Sequence, residues 1–148
     1  MKILVDADAC PVKQIIEQVA KEYKIPVTMI IDTSHELFSD YSKIIQVSKA
    51  PDAVDLALIN RCENGDIVIT GDFGVATLAL GKKAFAINQN GRIYSNENID
   101  MLMFERHLSA KQRRAGKHSK GFKKRTKEDD EQFKRAFSQL CKKALSFS

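Results

Sequence analysis

The chain has 148 residues, 43% of them hydrophobic and 29% charged, which is the composition of one globular domain and excludes disordered and fibrous classes. No apolar run is long enough to cross a membrane, and the early acids at 6 and 8 interrupt the N-terminal run before it could serve as a secretion signal. The net charge of +5 is uneven, since residues 1–104 carry 10 basic and 14 acidic side chains, whereas residues 105–148 carry 14 and 5.

The N-terminal part predicts strand and helix in alternation. Ile3-Leu4-Val5 is a short apolar run typical of a buried strand, and the acidic turn Asp6-Ala7-Asp8 ends it. Pro11 then opens a helix, because apolar residues recur at helical spacing from Val12 to Ala20. β-branched runs predict two further strands, at 27–31 and 44–47.

The same alternation continues along the chain. Asn88-Gln89-Asn90-Gly91 is a typical turn sequence, and after residue 95 only helices are predicted. The remaining expected elements are helices over 51–60, around 76–80, over 99–106 and over 128–145, and strands over 67–70 and 84–87.

Strands separated by helices predict right-handed crossovers and a parallel sheet covered on both faces. We therefore expect an α/β three-layer sandwich with a mostly parallel five-stranded sheet. The whole chain is predicted to be a single domain, with a core over about 1–94 and a basic, helical C-terminal extension over about 95–148. Three cysteines without a C-x-x-C pair fit a reducing cytoplasm, where we expect the protein to reside.

Acidic residues follow two of the predicted strands. Asp6 and Asp8 end the first strand, and Asp72 follows the fourth. In open α/β sheets ligands bind beyond the carboxyl ends of the strands, so these three carboxylates are expected to lie close together. Mg²⁺ and Mn²⁺ prefer such oxygen ligands, which predicts a divalent metal site, although each aspartate alone could simply cap the following helix.

Two more acids lie one turn apart on the helix predicted over 51–60. Asp52 directly follows Pro51 in the first turn, where the helix dipole favours a carboxylate, so it needs no functional explanation. Asp55 lies deeper on a largely apolar helix, and we select it as a fourth acid of the site, with Asp52 as a possible auxiliary.

Cys10 and Thr70 lie beside these acids in the sequence and are two further candidates. Cys10 is expected at a helix N-cap, where the dipole could activate its thiol, but a buried packing role is favoured. Thr70 could orient a metal-bound water, or could simply be the β-branched end of a strand. His35, His107 and His118 lack metal-ligand spacing and are expected at the surface.

A basic run without any acid follows the predicted helix 99–106. Such a run is usually a solvated loop, yet glycines at 116 and 121 would let it mould to a polyanion, and its phosphate contacts would be independent of base sequence. The candidate nucleic-acid-binding residues are Lys111, Arg113, Arg114, Lys117, Lys120, Lys123, Lys124 and Arg125.

Three segments together resemble the YaiI/YqxD family of bacterial proteins. They are Val5-Asp6-Ala7-Asp8-Ala9-Cys10-Pro11, Asp52-Ala53-Val54-Asp55 and Gly65-Asp66-Ile67-Val68-Ile69-Thr70-Gly71-Asp72. That family is grouped with PIN-like domains, which resemble metal-dependent nucleases carrying acids at the carboxyl end of a parallel sheet. The resemblance implies a PIN-like fold and the acidic positions Asp6, Asp8, Asp55 and Asp72.

The leading hypothesis is a Mg²⁺- or Mn²⁺-dependent nuclease acting on single-stranded nucleic acid, with RNA favoured. Two alternatives stay open. The first strand ends in D-x-D, as in phosphatases resembling the haloacid dehalogenase family, although Cys10 and the short chain argue against that class. A nucleic-acid-binding module that does not catalyse any reaction is the other alternative.

Overall fold

The computed structural model describes residues 1–114 and 124–147. Its strands are β1 (Ile3–Asp6), β2 (Val27–Asp32), β3 (Lys43–Val47), β4 (Ile67–Ile69), β5 (Phe85–Ile87) and β6 (Ile93–Tyr94). Its helices are α1 (Lys13–Tyr23), α2 (Ala53–Arg61), α3 (Phe73–Gly81), α4 (Ile99–Arg114) and α5 (Lys127–Ser146).

The strands form one sheet in the order β3-β2-β1-β4-β5-β6. The first five strands are parallel, as predicted, and β6 runs antiparallel to β5. The sheet thus has six strands rather than the predicted five. β6 was missed because a two-residue strand is too short to show alternation, and the turn at 88–91 closes it into a hairpin.

Helices cover both faces of the sheet, which confirms the three-layer sandwich. Successive strand side chains point to opposite faces, so Ile3 and Val5 face α1 and α5, whereas Leu4 faces the other helical layer. That second layer consists of α2, α3 and α4. Among the described residues no helix is both long and apolar enough to span a membrane.

Helix α5 belongs to this core although it lies in the predicted basic extension. Phe133 and Phe137 are fully buried, with ring centroids 5.3 Å apart, against the face of the sheet that α1 also covers. A capping box fixes the start of α5, because Thr126 accepts from the Asp129 amide and Asp129 accepts from the Thr126 amide. The last helix therefore completes one of the three layers.

Gly91 fixes the β5–β6 hairpin against α5. Its φ is +87°, and a Cβ at this position would lie 3.0 Å from the Gln132 carbonyl oxygen and 3.1 Å from the Phe133 Cα. Gly65 has the same φ but nothing within 4 Å of such a Cβ. The two glycines therefore share the backbone requirement and differ in crowding.

We expect Gly91→Ala to lower the free energy of unfolding more than Gly65→Ala does, by at least about 1 kcal/mol. Both alanines carry the strain of a positive φ, roughly 1 kcal/mol, but only Ala at 91 also collides with helix backbone. Urea denaturation of the two variants measures the difference. Equal losses of unfolding free energy would show that the hairpin is not wedged against α5.

Candidate active site

The carboxyl ends of β1 and β4 form the crevice on which the site is built. The chain connections diverge there, because β2 and β3 lie on one side of β1, whereas β4 and β5 lie on its other side. Such a topological switch point leaves an open cleft between the two loops that follow the strands. Asp6 ends β1 at this crevice, and Thr70 and Asp72 follow β4.

Asp6 is a half-buried carboxylate surrounded by other acids. Burial raises its pKa, and the charge of Asp55 raises it further, with smaller contributions from Asp8 and Asp72. The Thr70 hydroxyl opposes these effects by donating a hydrogen bond of 3.2 Å to Asp6 Oδ2. The carboxylates thus destabilise one another's charged forms, as acids sharing a small volume do.

Thr70 positions two of these acids. It is only 2% exposed, and its hydroxyl donates to Asp6 while accepting from the Asp72 amide at 3.0 Å. The single hydroxyl hydrogen is therefore used to orient a carboxylate. Orientation of Asp6 was not among the roles predicted for Thr70, and the predicted orientation of a metal-bound water stays a prediction.

Asp72 lies at the N-cap of α3 and is exposed. Its Oδ1 accepts from the Val75 amide at 3.0 Å, so the helix-capping role considered for each aspartate holds for this one. The charge of Asp72 also raises the pKa of both Asp6 and Asp55. Capping fixes the carboxylate at the crevice and does not remove it from the cluster.

Asp55 reaches the crevice from α2 and is half-buried. Burial is the largest cause of its raised pKa, and the charges of Asp72 and Asp52 raise it further. The helix begins at Ala53, so Asp55 occupies its first turn and not a deeper one, and Asp52 precedes the helix with φ +65°. The prediction that Asp52 lies within the first turn was therefore wrong by one position.

Asp8 is directed towards the end of β2. Its Oδ1 accepts from the Asp32 amide at 3.1 Å and lies 3.1 Å from His35 Nδ1, which is 3.2 Å from Asp32 Oδ1. Hydrogen bonds from the Ser34 hydroxyl and, to a smaller extent, from the Ser34 amide lower the pKa of Asp32 and so favour its charged form. One ligand atom from each of Asp8, Asp32 and His35 lies within 4.8 Å of the others.

Asp32 and His35 are candidate site residues that the sequence patterns did not indicate. His35 is exposed, as predicted for the histidines, but it contacts two carboxylates. The missing signal was the strand-end rule itself, because Asp32 ends β2 as Asp6 ends β1. Asp32 and His35 are also separated by three positions, which lets one turn of chain bring both to the same point.

Cys10 packs into the core next to this edge. It is 7% exposed, and burial raises the pKa of its thiol, which is the opposite of activation. The predicted N-cap position was wrong, since the cap of α1 is Val12. The packing interpretation is the one that the structure favours, and Cys62 and Cys141 are buried free thiols as well.

The predicted basic run divides into three parts. Helix α4 extends to Arg114, so it includes the first residues of the basic run. Of these, Lys111 is exposed. Lys124 is exposed beyond it. Lys117, Lys120 and Lys123, like His118, lie outside the described residues.

Arg125 has structural partners. Its guanidinium donates to Asp130 Oδ1 at 2.6 Å, to Asn90 Oδ1 at 3.0 Å and to the Gln89 carbonyl at 2.7 Å. These contacts join the start of α5 to the β5–β6 turn. These contacts give Arg125 a structural role in addition to the predicted role in nucleic-acid binding.

Comparison with known proteins gives one family. The family model described as "Uncharacterized BCR, YaiI/YqxD family" matches residues 4–143. A UPF0178 protein of Lachnoclostridium phytofermentans is 60% identical over 149 residues, covering 99% of this chain and 100% of the relative. A UPF0178 protein of Clostridium acetobutylicum is 57% identical over 142 residues, covering 95% and 96%. No solved structure gives a significant match.

Proposed function

This chain belongs to the uncharacterised YaiI/YqxD family, and on that premise we propose that it is a Mg²⁺- or Mn²⁺-dependent hydrolase of phosphodiester bonds in single-stranded nucleic acid, with RNA favoured. One observation carries the proposal. The Thr70 hydroxyl joins Asp6, at the end of β1, to Asp72, at the start of α3, at the topological switch point of the sheet, and Asp55 of α2 adds its charge to theirs.

The donor chemistry of the aspartate cluster suits a hard divalent cation, while among the described residues only Asp8, Asp32 and His35 bring three ligand atoms within 4.8 Å of one another. Asp6, Asp55 and Asp72 offer carboxylate oxygens, and burial and mutual repulsion raise the pKa of Asp6 and Asp55, a cost that a cation relieves. A bound Mg²⁺ or Mn²⁺ would activate water and neutralise charge on the scissile phosphate. Around it, Thr70 orients the Asp6 carboxylate and the α3 cap holds Asp72.

Asp8, Asp32 and His35 form a second candidate donor set beside the first. Imidazole nitrogen with carboxylate oxygen suits Mn²⁺ better than Mg²⁺, which favours oxygen alone. Asp8 links the two sets, since its charge also raises the pKa of Asp6. The ligand atoms of this second set lie within 4.8 Å of one another, so it is the set that the geometry of the described residues supports most directly.

A panel assay with Mn²⁺ tests the proposal by comparing single-stranded RNA, single-stranded DNA and p-nitrophenyl phosphate. We expect cleavage of the polymers, RNA fastest, and a loss of at least about 100-fold in Asp6→Asn and Asp72→Asn, because each removes a proposed ligand. The control is Asp40→Asn, an equal charge change at an exposed loop residue outside the cluster.

Each contrary result has a definite meaning. Turnover of p-nitrophenyl phosphate without polymer cleavage would support a phosphatase instead. Binding of polymer without turnover of any substrate would support a module that does not catalyse hydrolysis. Cleavage that survives both aspartate substitutions would overturn the assignment of the site and point to a contaminating nuclease.

A further inference from the structure

A cavity of about 370 Å³ lies next to the aspartate cluster. The start of α3, the β5–β6 hairpin, α4 and α5 line it, and it is open to solvent on one side. Two arginines, Arg92 and Arg106, are among its lining residues, and the single acid of that lining is Glu105. Amide side chains complete its polar surface, so the cavity offers mainly hydrogen-bond donors with a net positive charge.

Chain adjacency and one hydrogen bond connect this cavity to the cluster. Phe73, which lines it, directly follows Asp72 in the chain. Tyr94 also lines it, and its hydroxyl donates to the Thr70 carbonyl at 3.3 Å. Burial raises the pKa of Tyr94, and the charge of Arg106 lowers it while that of Asp72 raises it, so both charges act on the same hydroxyl.

A ring contact holds the guanidinium of Arg106, whereas that of Arg92 forms only a loose ion pair. Arg106 lies over the Phe73 ring, 5.5 Å from its centroid, and the ring forms an edge contact with Tyr94. Arg92 Nη1 is 3.9 Å from Glu105 Oε2, and both side chains are more than half exposed, at 56% and 59%. A loose exposed pair of this kind contributes little energy, so Arg92 is available to another anion.

We propose that this cavity binds a phosphodiester of the nucleic-acid strand. This group would be the neighbour of the phosphodiester at the aspartate cluster, and Arg92 and Arg106 would be its ligands. The inference rests on the proposed function and assigns a binding residue pair to it. A cluster of aspartates repels a polyanion, and two guanidiniums beside it offset that repulsion. Planar guanidinium groups also match phosphate oxygens bidentately.

Binding of a fluorescent single-stranded RNA, measured by anisotropy in EDTA over a range of salt, tests the proposal without any cleavage. We expect Arg92→Gln and Arg106→Gln each to weaken binding about tenfold and to reduce the slope of log affinity against log salt by roughly 0.7. Arg106→Lys should recover part of the affinity, because it keeps the charge and loses the planar fork.

Arg61→Gln is the matched control. It removes the same charge from an exposed arginine whose Nη1 donates to the Ala57 carbonyl of its own helix, at the C-terminal end of α2 and away from the cavity. Its binding should equal that of the parent. Melting curves of all variants establish that they are folded, and if Arg106→Gln is not, Arg92→Gln decides, because that side chain is largely exposed.

The outcomes separate this inference from the proposed function. Parent-like affinity and salt slope in both glutamine variants, or no binding by the parent, would overturn the cavity as a phosphate site. If the parent cleaves RNA with dependence on Asp6 and Asp72 while the arginine variants keep their KM, only the cavity fails. If the arginines are needed for binding but no metal supports cleavage, the cavity stands and the hydrolase fails.

Discussion

Asp6→Asn is expected to raise the melting temperature of the metal-free protein at neutral pH and to remove the stabilisation that Mn²⁺ gives through the aspartate cluster. Burial and the charge of Asp55 raise the pKa of Asp6, so the ionised carboxylate costs stability in the folded state. Asparagine removes that charge, and its side-chain carbonyl can still accept from the Thr70 hydroxyl.

The pH dependence of this gain has a definite sign. A carboxyl whose pKa is raised on folding holds more protons in the folded than in the unfolded chain, so its contribution to stability falls as pH rises from the ordinary value of 3.8 through the raised one. The advantage of Asp6→Asn should therefore be greatest above the raised pKa. It should close as the pH falls below 3.8, where the parent carboxyl is protonated in both states.

Added Mn²⁺ should reverse the order of the two proteins. An ion that binds only the folded state contributes about 2.7 kcal/mol at a hundredfold excess over its Kd, which is roughly 5–11 °C for a chain of this size. The parent gains this stabilisation and Asp6→Asn does not. Differential scanning fluorimetry with EDTA and with millimolar Mn²⁺ measures all four melting temperatures.

Asp40→Asn again serves as the matched control, because Asp40 is exposed and outside the cluster. It should melt with the parent in EDTA and gain equally from Mn²⁺. A parent melting temperature that ignores Mn²⁺ would contradict the metal site. A lower melting temperature of Asp6→Asn in EDTA would contradict the repulsion inferred at the crevice.

Phe133→Ala is expected to lower the free energy of unfolding by about 3–5 kcal/mol. The ring is fully buried between α5 and the sheet and stacks on Phe137, so truncation leaves a cavity in one of the two core layers. Urea denaturation at constant pH measures the loss. Since single domains are stable by only about 5–15 kcal/mol, this one substitution removes a large part of the total.

Phe38→Ala is the control for this truncation, because the Phe38 side chain is 88% exposed. It should change the free energy of unfolding by no more than about 0.5 kcal/mol. A loss in Phe133→Ala as small as that of the control would mean that α5 is an appendage to a core ending near residue 94. A large loss would show that the C-terminal helix is required for folding.

The sequence by itself determined the alternation of strands and helices and the parallel sheet. Apolar runs and helical periodicity are local signals, and short connections leave few topologies open. The strand-end positions of Asp6 and Asp72 followed from the same signals. The motifs also carried the family, which the match over residues 4–143 confirms.

Only the tertiary structure decided what depends on contacts between distant segments. The pairing of Asp8 with His35, the use of Arg125 to fasten α5 and the cavity between Arg92 and Arg106 each join segments that no local pattern relates. The burial of Phe133 depends likewise on the face of the sheet against which α5 packs. Local propensity determines whether a segment forms a helix or a strand, whereas packing across the whole chain determines which segments contact one another.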